Sequence, residues 1–250
     1  MSLIQKPFGF GVAGGAYRAI STYWDGTCTA IKSGAFSGTG ATSVCTQSFW
    51  IRFIGGDGSQ QFMSEGLNSN SFNRGAATAN WTCDFGQQAS CTSSGTSFNV
   101  AYGWQHVIFT ATGTGTGNAC ALYIDGVDQT YGANIGGGTL DFDIDNATNT
   151  ICRRYYSAAV GVGDYEVCDL WKDSAYFDLS DSSNLEKFIK DGKPVDLGDD
   201  GSGPTGSSPV WYQSVREGES AADFMTNKGT GGDLTLTGTL SLGASSPSDD

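Results

Sequence analysis

Residues 104–127 read WQHVIFTATGTGTGNACALYIDGV. The apolar run Val107, Ile108, Phe109 leads into a polar connection containing Gly113, Gly115 and Gly117, and a second apolar run at 119–124 closes on Asp125-Gly126. Two β-rich runs bounded by turn formers predict an antiparallel pair, and the Asp-Gly step predicts the next tight turn. The glycine-rich connection lacks the lysine and helix start of a phosphate-binding loop and reads as a hairpin loop.

Outward from this pair, residues 48–54 (SFWIRFI) alternate, with Phe49, Ile51 and Phe53 on one face and Trp50 and Arg52 on the other. That is the period of a half-buried strand. Further strands are expected around Tyr23 and Trp24, at 61–65, weakly around Phe72, Trp81 and Phe98, at 139–144, and late in the chain at 164–176 (DYEVCDLWKDSAY). Residues 182–190 form the one helix expected, with a Ser or Asp cap and Leu185, Phe188 and Ile189 on one face. Short strands at 210–212 and 234–240 follow.

The whole composition agrees with an all-β chain. Its 250 residues include 37 glycines, and only 16% are charged. No apolar run approaches the roughly 20 residues of a membrane-spanning helix. The start, MSLIQKPFGFGVAGG, lacks the pattern of a secretory signal, so folding in a cytoplasm is expected. A net charge of −13 with 13 scattered basic residues argues against nucleic acid as a partner. The seven cysteines include no CxxC pair for zinc. Cys83 and Cys91 could bridge a hairpin, while buried thiols are the reading favoured by the missing export signal.

The segments SFWIRF, QFMSEG, WQHVIFT, ALYIDGV and DYEVCDLWKDSAYFDLS resemble the laminin-G-like branch of the concanavalin A-like jelly rolls. Trp104, His106 and Val107 match that family's Trp-x-His-Val strand, and Leu122, Tyr123, Ile124, Asp125 and Gly126 match its Leu-Tyr-Val-Asp-Gly strand. The resemblance implies an all-β jelly-roll β-sandwich over residues 16–190, preceded by an extended arm at 1–15. A C-terminal β extension serving assembly would follow at 191–242, and a polar tail at 243–250. Residues 186–240 also resemble the C-terminal region of tailed-phage and prophage structural proteins. Together these imply a non-enzymatic bacteriophage virion protein, a capsid decoration or tail-associated component assembled in the host cytoplasm. Its partners would be other virion proteins and further copies of itself, a trimer being one arrangement. The alternative is an adhesin or receptor-binding domain for host surface glycans, and a remoter one is a glycoside hydrolase.

Site candidates are few. Glucanases of this superfold need two carboxylates across a cleft. Here Asp164, Glu166 and Asp169 come nearest, yet Glu166 and Asp169 are three apart and should face opposite ways on a strand. His106, the single histidine, sits inside the structural strand motif and reads as packing. Asp141, Asp143 and Asp145 would share a strand face and need either solvation or a bridging calcium. The calcium-loop pattern fails at Asn146 and Cys152, but the family resemblance implies a rim calcium site. Trp24, Trp50, Trp81 and Tyr102 are the candidate surfaces for stacking a sugar. No other cofactor is expected.

Overall fold

The computed structural model describes residues 17–33, 43–55, 60–65, 71–74, 81–85, 89–93, 103–113, 119–135, 148–151 and 164–249. The predicted arm at 1–15, the triple-aspartate run and the strand at 139–144, and the strand around Phe98 lie outside them.

Two antiparallel sheets face each other. The front sheet runs β10 (Val127–Asp128), β9 (Ala119–Ile124), β8 (Gln105–Thr112), β3 (Val44–Gly55), β13 (Asp164–Asp173), β1 (Thr22–Asp25) and β18 (Ser241–Leu242). β16 (Trp211–Gln213) also pairs with β13, beyond the stretch that pairs with β1. The back sheet runs β11 (Thr130–Ile135), β7 (Ala89–Ser93), β6 (Trp81–Phe85), β5 (Ser71–Arg74), β4 (Gln60–Glu65), β12 (Thr148–Ile151), β2 (Thr29–Ser33) and β17 (Thr235–Thr237). Each open edge is finished by one continuous stretch that crosses between sheets, β10 to β11 on one side and β17 to β18 on the other. The terminal strands of the front sheet have only two residues each, which leaves little unpaired backbone as a template for aggregation.

The alternation in β3 decides which side chains meet between the sheets. Phe49, Ile51 and Phe53 enter the core with Val107, Phe109, Leu122 and Tyr165 of the front sheet and Phe62 of the back sheet. Phe49 and Phe62 rings sit 4.5 Å apart across the interface. A disulfide between Cys91 of β7 and Cys120 of β9 joins the two sheets covalently. Of the two readings of the cysteines, neither a Cys83–Cys91 hairpin bridge nor thiols throughout holds for Cys91: it opposes Cys83 in the β6–β7 ladder but bonds across the sandwich. Cys28, Cys45, Cys83 and Cys168 are buried thiols.

β3 is not half-buried, because the outer face of the front sheet is covered as well. Residues following β13 fold back over it, and Phe177, Leu179, Phe188 and Leu197 pack on Ile108, Tyr123, Trp171 and Tyr212. Trp171, Phe177 and Phe188 form an edge-to-face trio with centroids 5.2–6.1 Å apart. Such pairs add to the stabilisation that burial supplies. Thr46 and Thr110 share a 2.8 Å hydrogen bond on this face, and Thr46 Oγ1 donates to the Ala175 carbonyl at 2.7 Å.

The expected helix at 182–190 is shorter in the structure. It spans Ser182–Leu185, with Asp181 capping the Ser183 amide at 2.9 Å. Ile189–Lys190 is already strand β14, paired with β15 (Lys193–Pro194) around the Asp191-Gly192 turn, where both residues have positive φ. The expected boundary at 190/191 thus falls inside a hairpin. Within 191–242, β16, β17 and β18 supply strands to both sheets. The polar tail is ordered over 243–249, lying across the chain's first described residues.

Candidate functional site

Of the four aromatic stacking candidates, two are core residues. Trp24 is fully buried between the sheets against Phe224, and its Nε1 donates to Thr22 Oγ1 at 3.0 Å. Trp50 is 3% exposed and packs on His106, with centroids 5.0 Å apart. Neither presents a face to solvent. Trp81 opens β6. Tyr102, Asp141, Asp143 and Asp145 lie outside the described residues, as does Cys152.

The strand-borne acids are arranged differently from the expectation. Cys168 opposes Trp50 and Trp171 opposes Ser48, so three steps along β13 match two along β3. This bulge contains Asp169, whose φ of +50° is in the left-handed region that Asp tolerates better than most residues. The extra residue resets the alternation. Glu166 and Asp169 therefore both reach the outer face of the front sheet, although their spacing on a regular strand would separate them.

Glu166 is 2% exposed. Its Oε1 accepts the Ala244 amide at 2.6 Å, its Oε2 accepts Ser245 Oγ at 2.7 Å, and Arg52 Nε lies 3.4 Å from Oε2. Ser245 Oγ in turn accepts from Arg52 Nη1 at 2.7 Å and from Trp104 Nε1 at 2.9 Å. One hydroxyl is thus held by a carboxylate, a guanidinium and an indole N–H, using its single donor and both acceptor positions.

Asp169 anchors a second network. The Tyr17 hydroxyl lies 2.7 and 2.8 Å from its two oxygens. Burial pushes the Asp169 carboxyl up to about 6, against the Tyr17 hydrogen bond and the Arg216 charge, which pull it down. Arg216 lies over the Tyr17 ring at 5.0 Å, pairs with Asp196 at 2.8 Å, and donates to Tyr212 at 3.2 Å and to the Gly198 carbonyl. Three distant stretches of chain converge here on the bulge of β13.

His106 is wholly buried, and burial lowers its imidazole to about 3, so it is neutral at physiological pH. Its Nε2 meets Ser48 Oγ at 2.8 Å. With neither a carboxylate hydrogen-bonded to its ring nor access to solvent, it fits the packing role read from its strand motif.

Among the described residues, the exposed aromatic side chains are Tyr131 on β11 of the back sheet and Tyr176 in the segment after β13. Tyr176 is 45% exposed and Tyr131 65%. Asp178 raises the phenol of Tyr176 after burial, and Asp128 and Asp178 act likewise on the neighbouring Tyr123. Burial is the larger cause for both tyrosines. Asp178 and Asp128 each already accept a hydrogen bond from the chain, Asp178 from Ser180 and Asp128 from Thr130. Tyr17 and Ser245 carry no motif, and Arg52, Trp104 and Tyr176 fall in segments that speak only for the fold, so sequence pattern could not single them out for these networks.

No family model matches the chain, and no curated protein matches it. Solved structures do. One is a protein from Bacteroides ovatus ATCC 8483 provisionally described as carbohydrate-binding, with 14% identity and a TM-score of 0.59 over 92% of this chain. The chain spans 62% of that protein's length. Another is the native heptameric SAP-like pentraxin of Limulus polyphemus, with 12% identity and a TM-score of 0.57, covering 90% of this chain and 95% of that one. With the sheet order above, these similarities establish the architecture: an all-β, concanavalin A-like jelly-roll sandwich.

Proposed function

We propose that the chain is a non-enzymatic recognition module of a tailed-bacteriophage particle, binding hydroxyl-rich surface glycans of the host through the rim around Tyr176. The observation that carries this reading is the use to which the fold puts its acids. Glu166 is saturated by Arg52, Ala244 and Ser245, and Asp169 is buried against Tyr17. Neither is placed to protonate a leaving group or activate water, whereas Tyr176 is 45% exposed. Support for the virion setting comes from the resemblance of residues 186–240 to phage structural proteins. A jelly roll serves many tasks, so the fold by itself leaves the setting open.

Glycan-array binding by the intact protein, lost in Tyr176→Ala with an unchanged melting temperature, is the expected result. A blank array from folded protein would sink the glycan reading. Mass spectrometry of purified particles tests the setting: hundreds of copies place the protein on the head, a handful on the tail, and none removes it from the virion. Light scattering reads the homo-oligomer that a repetitive particle position calls for.

A further inference from the structure

Ser245 lies where several polar side chains meet. Residues 243–249 lie as a strap over Glu166, which is 2% exposed beneath it, and over Trp104, which is 7% exposed. The contacts that fix the strap's position are polar. The Gly243 amide donates to the Ser21 carbonyl at 2.9 Å, Ser246 Oγ donates to the Ala19 carbonyl at 2.6 Å, and Asp249 pairs with Arg18 at 2.7 Å where both are exposed. Lys193 Nζ reaches the Ser248 carbonyl at 3.0 Å.

At its centre, the buried Glu166 carboxylate, the partly exposed Arg52 paired with it and an indole donor all converge on one neutral hydroxyl. Removing an ionised carboxylate from water is costly, and anchoring a serine would not require it. The same three groups match the hydrogen-bonding inventory of a sugar hydroxyl, one donor and two acceptors. Trp104, 7% exposed beneath the strap, contributes the indole edge of this cluster, with Trp50 packed in the core behind it.

We propose that Arg52, Trp104 and Glu166 form a second carbohydrate subsite, which the C-terminal strap fills in cis with the Ser245 hydroxyl. This rests on the glycan-binding reading above, extended to a different surface. A tethered segment competes at an effective concentration near millimolar, so a weak saccharide gains access only when the strap leaves. Release of the strap therefore switches the subsite on.

Two variants remove the strap by different means. One ends at Leu242. The other, Gly243→Val, keeps the full chain: a Cβ at 243 would lie 2.0 Å from Ser21 Oγ and 2.9 Å from Glu166 Oε1, so the side chain prises the strap away. Binding of gluco-, galacto- and manno-oligosaccharides is measured by calorimetry and tryptophan fluorescence. Both variants should bind at least one oligosaccharide about tenfold more tightly than the intact protein. A synthetic LGASSPSDD peptide should compete, adding Glu166→Gln should abolish the gain, and adding Tyr176→Ala should leave it intact. Folded variants with no gain across the panel overturn the proposal. So does unfolding of both, which would assign the strap to the fold. A rim that fails on the array while the strap variants gain binding would separate this subsite from the rim reading.

Discussion

His106 and Asp125 are tied to each other twice at the end of the β8–β9 pair. The Asp125 amide donates to the His106 carbonyl at 2.9 Å, and the His106 amide donates to Asp125 Oδ1 at 2.7 Å. Asp125 has a φ of +51° and Gly126 of +76°, so the backbone leaves the ladder at Asp125. The side-chain carboxylate takes the place of the carbonyl that the turn carries away. That is the physical sense of an Asp-Gly pair following an apolar strand.

Asp125→Ala removes this acceptor and places a Cβ-bearing residue without a compensating side chain in the left-handed region. A loss of about 2–3 kcal/mol in chemical denaturation is expected, with Asp125→Asn losing less. Equal stability of the alanine variant and the parent would contradict the substituted-ladder account.

Acid should unmask His106. Its folded value of about 3 lies below the ordinary 6.5, so the unfolded chain binds the proton first. Its stabilising contribution is complete above about 6.5 and is lost as pH falls toward about 3, at a slope of up to about 1.4 kcal/mol per pH unit. Denaturation midpoints across that range, compared with His106→Gln, isolate the effect. A variant with the parent's slope would exclude it.

Asp169 should act with the opposite sign. Its folded value near 6 exceeds the ordinary 3.8, so protonation favours the folded chain: the contribution is complete below about 3.8 and is lost as pH rises through about 6. Asp169→Asn keeps an acceptor for Tyr17 and tolerates positive φ while removing the buried charge. At pH 7 it should gain about 1–3 kcal/mol, a gain that disappears at pH 4. Destabilisation at both pH values would mean that the Arg216 charge, not burial, dominates the site.

Reduction should loosen the sandwich. The Cys91–Cys120 bond closes a sequence separation of 29 residues, and its loss should cost about 2–4 kcal/mol. Cys120→Ser should melt lower than the parent and be insensitive to dithiothreitol. Peptide mapping that recovers Cys83–Cys91 from the parent would refute the cross-sheet pairing.

Much of the architecture is local in origin and therefore readable. The alternation of Phe49, Ile51 and Phe53 depends only on the pleat, and the antiparallel pairing of β8 with β9 follows from two apolar runs and a short connection. The Asp125-Gly126 turn depends only on conformations those two residues tolerate. These features made the sandwich legible from sequence.

What the sequence left open is set by encounters between distant parts of the chain. Whether Trp50 meets solvent depends on Ile189 and Tyr17 packing against the same face. Cys91 chooses Cys120 over Cys83 because the sheets stack, a fact no spacing encodes. One inserted residue in β13 turns Asp169 to the side of Glu166, and the contact between Ser245 and Glu166 spans 79 positions. Side-chain period is a property of a strand. The cover over its second face, and with it the burial and chemistry of the polar groups described there, is decided only when residues 17–21 and 177–249 close over the front sheet.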